Sequence, residues 1–127
     1  MSVVIIMGSE VDRPHVEIMI KKLESYNTKV DTYVASAHKT PKVVLEVLEK
    51  YIREKVVFIT VAGRSNALSG FCAANTAHPV LACPPFSDKM DMMVNIHSTL
   101  QMPSNVPVMT VLDPKNCALA ACTILRL

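Results

Sequence analysis

Five short apolar runs, each followed by a stretch of helical periodicity, leave this chain few folds to choose from. The clearest is Val56-Val57-Phe58-Ile59-Thr60-Val61, largely β-branched, free of charge and stopped at Gly63. Successive side chains of a strand point to opposite faces of the sheet, so a continuous apolar run describes a strand buried on both sides. Val3 to Met7 is of the same kind and ends in Gly8-Ser9. Lys29 to Val34 alternates with period two, Pro79 to Ala82 is a shorter run with its proline at the tolerated first position, and Val108 to Leu112 is the fifth. Between them, Val16, Met19, Ile20 and Leu23 form one helical stripe. Thr40-Pro41 predicts a helix start, hydroxyl at the N-cap and proline at the first helical position, followed by the stripe Val44, Val47, Leu48 and Tyr51. A third helix is expected from Asn66 to Ala74. A fourth carries Met93, Ile96, His97 and Leu100, and Asp113-Pro114 opens a last one with Ala118, Ala121, Cys122 and Leu125 inward. Uninterrupted βα units require a parallel sheet with helices on both faces. The expectation is a single α/β domain over residues 1–127, a three-layer α/β/α sandwich with the flavodoxin-like strand order 2-1-3-4-5.

Composition removes several functional classes. Half of the 127 residues are hydrophobic and 19% are charged, which excludes disorder as the main state. A net charge of +2, with Lys21, Lys22, Lys39, Lys42, Lys50, Arg53 and Lys55 scattered, argues against a nucleic-acid surface. No apolar run approaches the roughly 20 residues of a membrane span. The first residues lack a basic region and a small-residue cleavage site, so they read as a strand rather than a signal peptide. Cys72, Cys83, Cys117 and Cys122 sit in apolar contexts without CxxC or finger spacing, which predicts free buried thiols in a reducing cytoplasm and no metal site. The apolar ending Ile124-Leu125-Arg126-Leu127 suggests a further segment or burial against another subunit.

Ligands of open α/β sheets bind at the carboxyl ends of the strands. Three loops there are rich in polar groups: Gly8-Ser9-Glu10-Val11-Asp12, Ser36-Ala37-His38-Lys39-Thr40 and Gly63-Arg64-Ser65-Asn66. Serine or aspartate before a helix is usually a cap. The convergence of three such loops, with Lys39 and Arg64 as cations, describes a phosphate site instead. The GxGxxG and P-loop patterns are absent. His15, His78 and His97 read as packing or surface residues. His38 lies among small residues beside Lys39 and a helix N-terminus, which would keep its imidazole neutral and able to act as a general base. From the residues alone, that role and a plain ligand contact remain equally open.

Taken in order, Met7-Gly8-Ser9 with Asp12, Ser36-Ala37-His38-Lys39-Thr40-Pro41, Ala62-Gly63-Arg64-Ser65-Asn66, Ala82-Cys83-Pro84-Pro85, Leu100-Gln101-Met102-Pro103 and Pro114-Lys115-Asn116 resemble one enzyme family over essentially the whole chain. The sequence resembles the phosphoribosylaminoimidazole carboxylases of purine biosynthesis, in their class II branch. Class I members, which are mutases moving a carboxylate from nitrogen to carbon of N5-carboxyaminoimidazole ribonucleotide, typically carry arginine after the loop histidine and a GGAAH-like third loop. Here Lys39 and Gly63-Arg64-Ser65-Asn66 stand in those places. The resemblance implies reversible carboxylation of 5-aminoimidazole ribonucleotide with carbon dioxide to 4-carboxy-5-aminoimidazole ribonucleotide. It implies His38 as the general acid/base at ring carbon 4. Ser9, Asp12, Ser36 and Lys39 would hold the ribose 5-phosphate end, with Asp12 suited to the ribose hydroxyls. Gly63, Arg64, Ser65 and Asn66 would lie over the reacting carboxylate, and Gly8 and Ala37 would join them as substrate-binding residues. It further implies no cofactor or metal, a homo-octamer, and a helical tail beyond the last βα unit that this sequence does not include. One departure is Val11, where the family's first loop usually has a second serine. The other readings are the class I mutase, a non-catalytic module that binds a phosphorylated metabolite, and a structural assembly domain.

Overall fold

The computed structural model describes residues 1–127. Its five strands, β1 (Ser2–Met7), β2 (Val30–Val34), β3 (Val56–Val61), β4 (Val80–Ala82) and β5 (Met109–Thr110), form one parallel sheet in the order β2-β1-β3-β4-β5. The helices are α1 (Arg13–Ser25), α2 (Pro41–Lys50), α3 (Leu68–Ala74), α4 (Lys89–Asn95), α5 (His97–Leu100) and α6 (Pro114–Leu125), with a 3-10 turn at Glu10–Asp12. None is long and apolar enough to cross a membrane.

Both apolar runs read as doubly covered strands are buried at every position. Val3, Ile5 and Met7 of β1 and Val57, Ile59 and Val61 of β3 meet Val16, Met19 and Leu23 of α1 and Ala118, Ala121 and Leu125 of α6. The alternate residues Val4, Ile6 and Phe58 meet Val44, Val47, Leu48 and Tyr51 on the α2 side, with Leu68 and Cys72 of α3. Period two in the strands and period 3.6 in the helices thus build two separate cores on one sheet. At the edge, Tyr51 donates to Asp31 (2.7 Å) and shares a hydrogen bond with Tyr33 (2.6 Å), which fastens β2 to α2. All four cysteines are free and buried.

Four local expectations are corrected. Thr40 occupies the N-cap position of α2, but its hydroxyl makes no cap bond; it accepts from Ser36 N and donates to Ser36 O instead. α3 begins at Leu68, two residues later than expected, because the Asn66 side chain accepts from Leu68 N and Ser69 N and so ends the loop there. β5 is shorter than Val108 to Leu112: it is an edge strand, and Pro107 just before that run has no N–H to extend the ladder. The expected stripe Met93, Ile96, His97 and Leu100 is not a buried face. The segment breaks into α4 and α5 at Ile96, with Met93 64% and Leu100 57% exposed and Thr99 the buried residue of α5. Its polar side turns inward because hydrogen-bond partners wait there.

Candidate active site

The three polar loops meet. A cavity of about 200 Å³ opens at the carboxyl edge of the sheet, lined from the first loop by Gly8, Ser9 and Asp12. The loop after β2 adds Ser36, Ala37 and His38, and the loop after β3 adds Gly63, Arg64 and Ser65. Nine of the sequence-derived site residues therefore share one wall. Two do not reach it: Lys39 is exposed outside the lining, and Asn66, only 4% accessible, faces the protein interior. Ala62, Ala67 and Leu68 line the cavity without having been singled out in the sequence, where small and apolar residues carry no chemical signal.

Each loop is shaped differently. Ser9 extends its backbone into the N-cap conformation of the 3-10 turn, and its hydroxyl accepts from Val11 N at 3.4 Å. Asp12 follows at the mouth of α1 with no side-chain cap bond, leaving its carboxylate available to the cavity. Partial burial pushes the Asp12 carboxyl up, opposed by the positive His15 and by a hydrogen bond at Ser9. In the second loop, Lys39 N donates to Ser36 Oγ (3.1 Å) and Ser36 N to Thr40 Oγ1 (2.9 Å), which closes a tight turn carrying the exposed His38. In the third, Ser65 adopts a left-handed backbone with φ 50°, a conformation that few residues other than glycine occupy. Gly63 lies so close to Pro85 that a Cβ there would stand 2.6 Å from the Pro85 carbonyl oxygen.

The lining carries one cation, Arg64, and one carboxylate, Asp12, so the part of the cavity suited to an anion is the Arg64 side. The ion pair within 4 Å in this structure joins Arg13 to Glu10 (2.7 Å), so Arg64 makes no contact ion pair, although its charge adds to the Ser87 N–H and the Asn95 amide in holding the Asp91 carboxyl down. Arg64 also borders a neighbouring cleft of about 350 Å³ together with Asp91. Small hydroxyls, loop N–H groups and a guanidinium at one edge can hold phosphate or carboxylate oxygens.

One cluster behind the first loop escaped the sequence reading. His15 Nε2 lies 3.4 Å from Cys83 Sγ across 68 residues. The Cys117 thiol, and after it the His15 imidazole, hold Cys83 at about 6, against burial, and Cys117 is pushed up in return. The bond to Cys83 raises His15. The Leu112 carbonyl, 3.6 Å from the same sulfur, accepts only from a protonated thiol and so limits how far that proton leaves. The available signal was positional: His15 follows Asp12 by one helical turn, and Cys83 directly follows β4 at its carboxyl end.

The family model described as AIR carboxylase matches residues 2–127. A phosphoribosylaminoimidazole carboxylase of Archaeoglobus fulgidus is 50% identical over 127 residues, covering 100% of this chain and 70% of that protein. The chain belongs to the AIR carboxylase family. A Treponema denticola carboxylase is 40% identical, covering 98% of this chain and 79% of its own length. The crystal structure of Treponema denticola PurE superposes with a TM-score of 0.89 at 40% identity, over 98% of this chain and 79% of that one. A human bifunctional phosphoribosylaminoimidazole carboxylase/phosphoribosylaminoimidazole succinocarboxamide synthetase is 36% identical, and there the match covers only 30% of the relative. As an AIR carboxylase family member, the chain is a carboxylase/mutase-type enzyme of purine biosynthesis, and its sheet order is the one expected from the sequence.

Proposed function

We propose that this enzyme adds carbon dioxide directly to 5-aminoimidazole ribonucleotide, giving 4-carboxy-5-aminoimidazole ribonucleotide, and works in the cytoplasm. The observation that carries the reading is the single cavity shared by His38, Asp12 and the Gly63-Arg64-Ser65 loop. The amino-imidazole is an electron-rich enamine. Its ring carbon 4 donates an electron pair to the carbon of carbon dioxide, one C–O π pair moves onto oxygen, and the ring becomes cationic. His38 then takes the proton from carbon 4, the C–H electrons restore the aromatic ring, and the carboxylate stays on carbon. No oxidant or reductant enters this balance. The protein's tasks are orientation, support of the developing carboxylate and one proton transfer.

Ser9 and Ser36, with the N–H groups beside Gly8 and Ala37, suit the 5-phosphate, and Asp12 suits the ribose hydroxyls. Lys39, outside the lining, would meet the part of the nucleotide that projects from the cavity. Arg64, Ser65 and the loop N–H groups suit the carboxylate. The cavity, at about 200 Å³, is smaller than the roughly 300–1,000 Å³ of ordinary ligand pockets. That shortfall supports a site completed at a subunit boundary, in a homo-oligomer for which we propose eight copies.

The direct carboxylase is distinguished from the mutase by supplying the two substrates separately. Turnover of aminoimidazole ribonucleotide should rise with added bicarbonate and need no ATP, whereas the N5-carboxy compound should react only as it breaks down. Efficient turnover of the N5-carboxy compound without bicarbonate dependence would assign the mutase reaction. In the same assay His38→Asn should lose about 10²-fold or more in turnover while still binding the nucleotide. Unchanged turnover would remove His38 from the chemistry, and binding without any turnover in the unsubstituted chain would favour a metabolite-binding module.

A further inference from the structure

A side-chain carboxamide offers two N–H donors and one carbonyl acceptor, and at Asn66 all of them are consumed inside the protein. Oδ1 accepts from Leu68 N (3.0 Å) and Ser69 N (3.3 Å). Nδ2 donates to Ser69 Oγ (2.9 Å) and to Thr99 Oγ1 (3.0 Å). The Asn66 backbone N–H donates to Ser98 Oγ at 2.8 Å, and that hydroxyl donates on to Asn95 O at 3.0 Å. Asn66, Ser69 and Thr99 are all buried, so no part of this carboxamide is left for a ligand.

The network joins the loop after β3 to α5, more than thirty residues away, and it does so next to the strained residue of the site. Ser65 keeps a left-handed backbone and lines the cavity; such a conformation persists only where the surroundings over-determine it. The Asn66 bonds supply that determination from one side, and the approach of Gly63 to Pro85 supplies it from the other. The bonds also continue outward. Asn95 Nδ2 donates to Asp91 Oδ1 (2.6 Å), and Asp91 borders the outer cleft with Arg64. A fully satisfied buried polar network holds one arrangement rigidly, whereas an apolar contact of the same size would tolerate several.

We infer that Asn66 is a positioning residue: through Ser98 and Thr99 it clamps the loop so that Ser65 and its neighbouring N–H groups stand ready for the carboxylate. The inference rests on the carboxylation proposed above. Its consequence is a separation of effects, because the clamped loop faces the reacting carbon while the nucleotide's phosphate end is held by other loops.

The test uses the 127-residue chain with Thr99→Val, which removes an acceptor of Asn66 outside the cavity lining and keeps the shape, Ser98→Ala, and Thr99→Ser as the conservative control. Steady-state kinetics with aminoimidazole ribonucleotide, thermal unfolding, and amide hydrogen exchange over residues 63–68 are measured together. Thr99→Val and Ser98→Ala should each lower kcat about 10-fold well below their unfolding temperatures, inside the roughly 10²-fold attributed to a misplacement of about 1 Å. KM for the nucleotide should stay within about twofold, exchange at 64–66 should quicken while β3 stays protected, and Thr99→Ser should restore kcat. Lower thermal stability with full kcat would overturn the inference, as would a rise in KM matching the loss of kcat/KM. If the unsubstituted chain does not turn over aminoimidazole ribonucleotide, the functional proposal fails, and slow exchange at 64–66 in Thr99→Val then overturns the clamp independently.

Discussion

The two loops that bring chemistry to the cavity are held in opposite ways. The loop after β2 is closed by bonds among Ser36, Lys39 and Thr40 only, three or four residues apart, and its His38 is exposed. The loop after β3 is tied to Ser98 and Thr99 across 32 and 33 residues and abuts Pro85. Under the proposed function, His38 would carry a proton between a ring carbon and solvent and would need access, which its local turn leaves open. Donors that support a growing carboxylate would, under the same proposal, work by being fixed before the charge develops, and the anchoring of the loop after β3 suits that role. Local and long-range anchoring are thus divided between neighbouring loops.

The harshest way to break this division is Gly63→Ala. Its Cβ would stand 2.6 Å from a backbone carbonyl that two successive prolines, Pro84 and Pro85, hold stiffly. The loop must therefore move. We expect a stability loss of about 1–3 kcal/mol in denaturant unfolding together with a larger fall in turnover than in nucleotide affinity. Retained activity would mean that the third loop needs no fixed position.

A smaller effect sharpens the contrast through the third long-range tie, His15 to Cys83. The Cys83 thiol titrates at about 6 in the folded chain, below its ordinary range near 8.5. A lowered value stabilises the fold above the unfolded pKa, and that stability is lost as pH falls through about 6. The raised His15 contributes in the opposite sense: its share is full below about 6.5 and lost as pH rises through its folded value. Replacing Cys83 by serine removes the first dependence and, with the bond that raises His15, most of the second, so the His15 share offsets roughly half of the about 2 kcal/mol that the Cys83 shift alone would give between pH 6 and pH 8. The stability difference between the unsubstituted chain and Cys83→Ser should therefore be greater at pH 8 than at pH 6, by about 1 kcal/mol, in parallel denaturant titrations. A difference independent of pH would show that the sulfur stays protonated, bonded to Leu112.

The mildest change is Thr40→Ala, which removes the local closure of the His38 loop. Its bonds to Ser36 are solvent-exposed, so unfolding should shift by no more than about 0.5–1 kcal/mol. Turnover should fall less than about 10-fold, the margin set by a loop that is already accessible. A collapse of activity as large as that of Gly63→Ala would erase the distinction between the two loops.

Much of this architecture is written in one-dimensional patterns. The runs at Val3–Met7 and Val56–Val61 are apolar at nearly every position because both faces of the inner strands are covered, and the stripes of α1, α2 and α6 repeat at helical spacing because one side of each meets the sheet. Parallel strands separated by helices leave little choice of topology, and the carboxyl-edge rule then points to the same three loops. Patterns fail where a residue's environment comes from distant chain. Met93 and Leu100 mimic a core stripe, but no element of this chain covers them. The helix that the stripe announced is broken at Ile96 and turns Ser98 and Thr99 inward.

Asn66 is the sharpest case. Beside Gly63, Arg64 and Ser65 it reads as one more polar donor for a ligand, and only the fold reveals that its carboxamide is spent on Ser69 and Thr99. His15 and Cys83 likewise read as packing residues until the sheet sets them 3.4 Å apart. The amino-acid order determined which elements form, how they stack and at which edge the chemistry collects, because burial and backbone pairing act through short repeating patterns. The tertiary structure alone decided which polar groups of that edge face the cavity and which hold it in place, because a hydrogen bond is directional and its partner can lie anywhere along the chain.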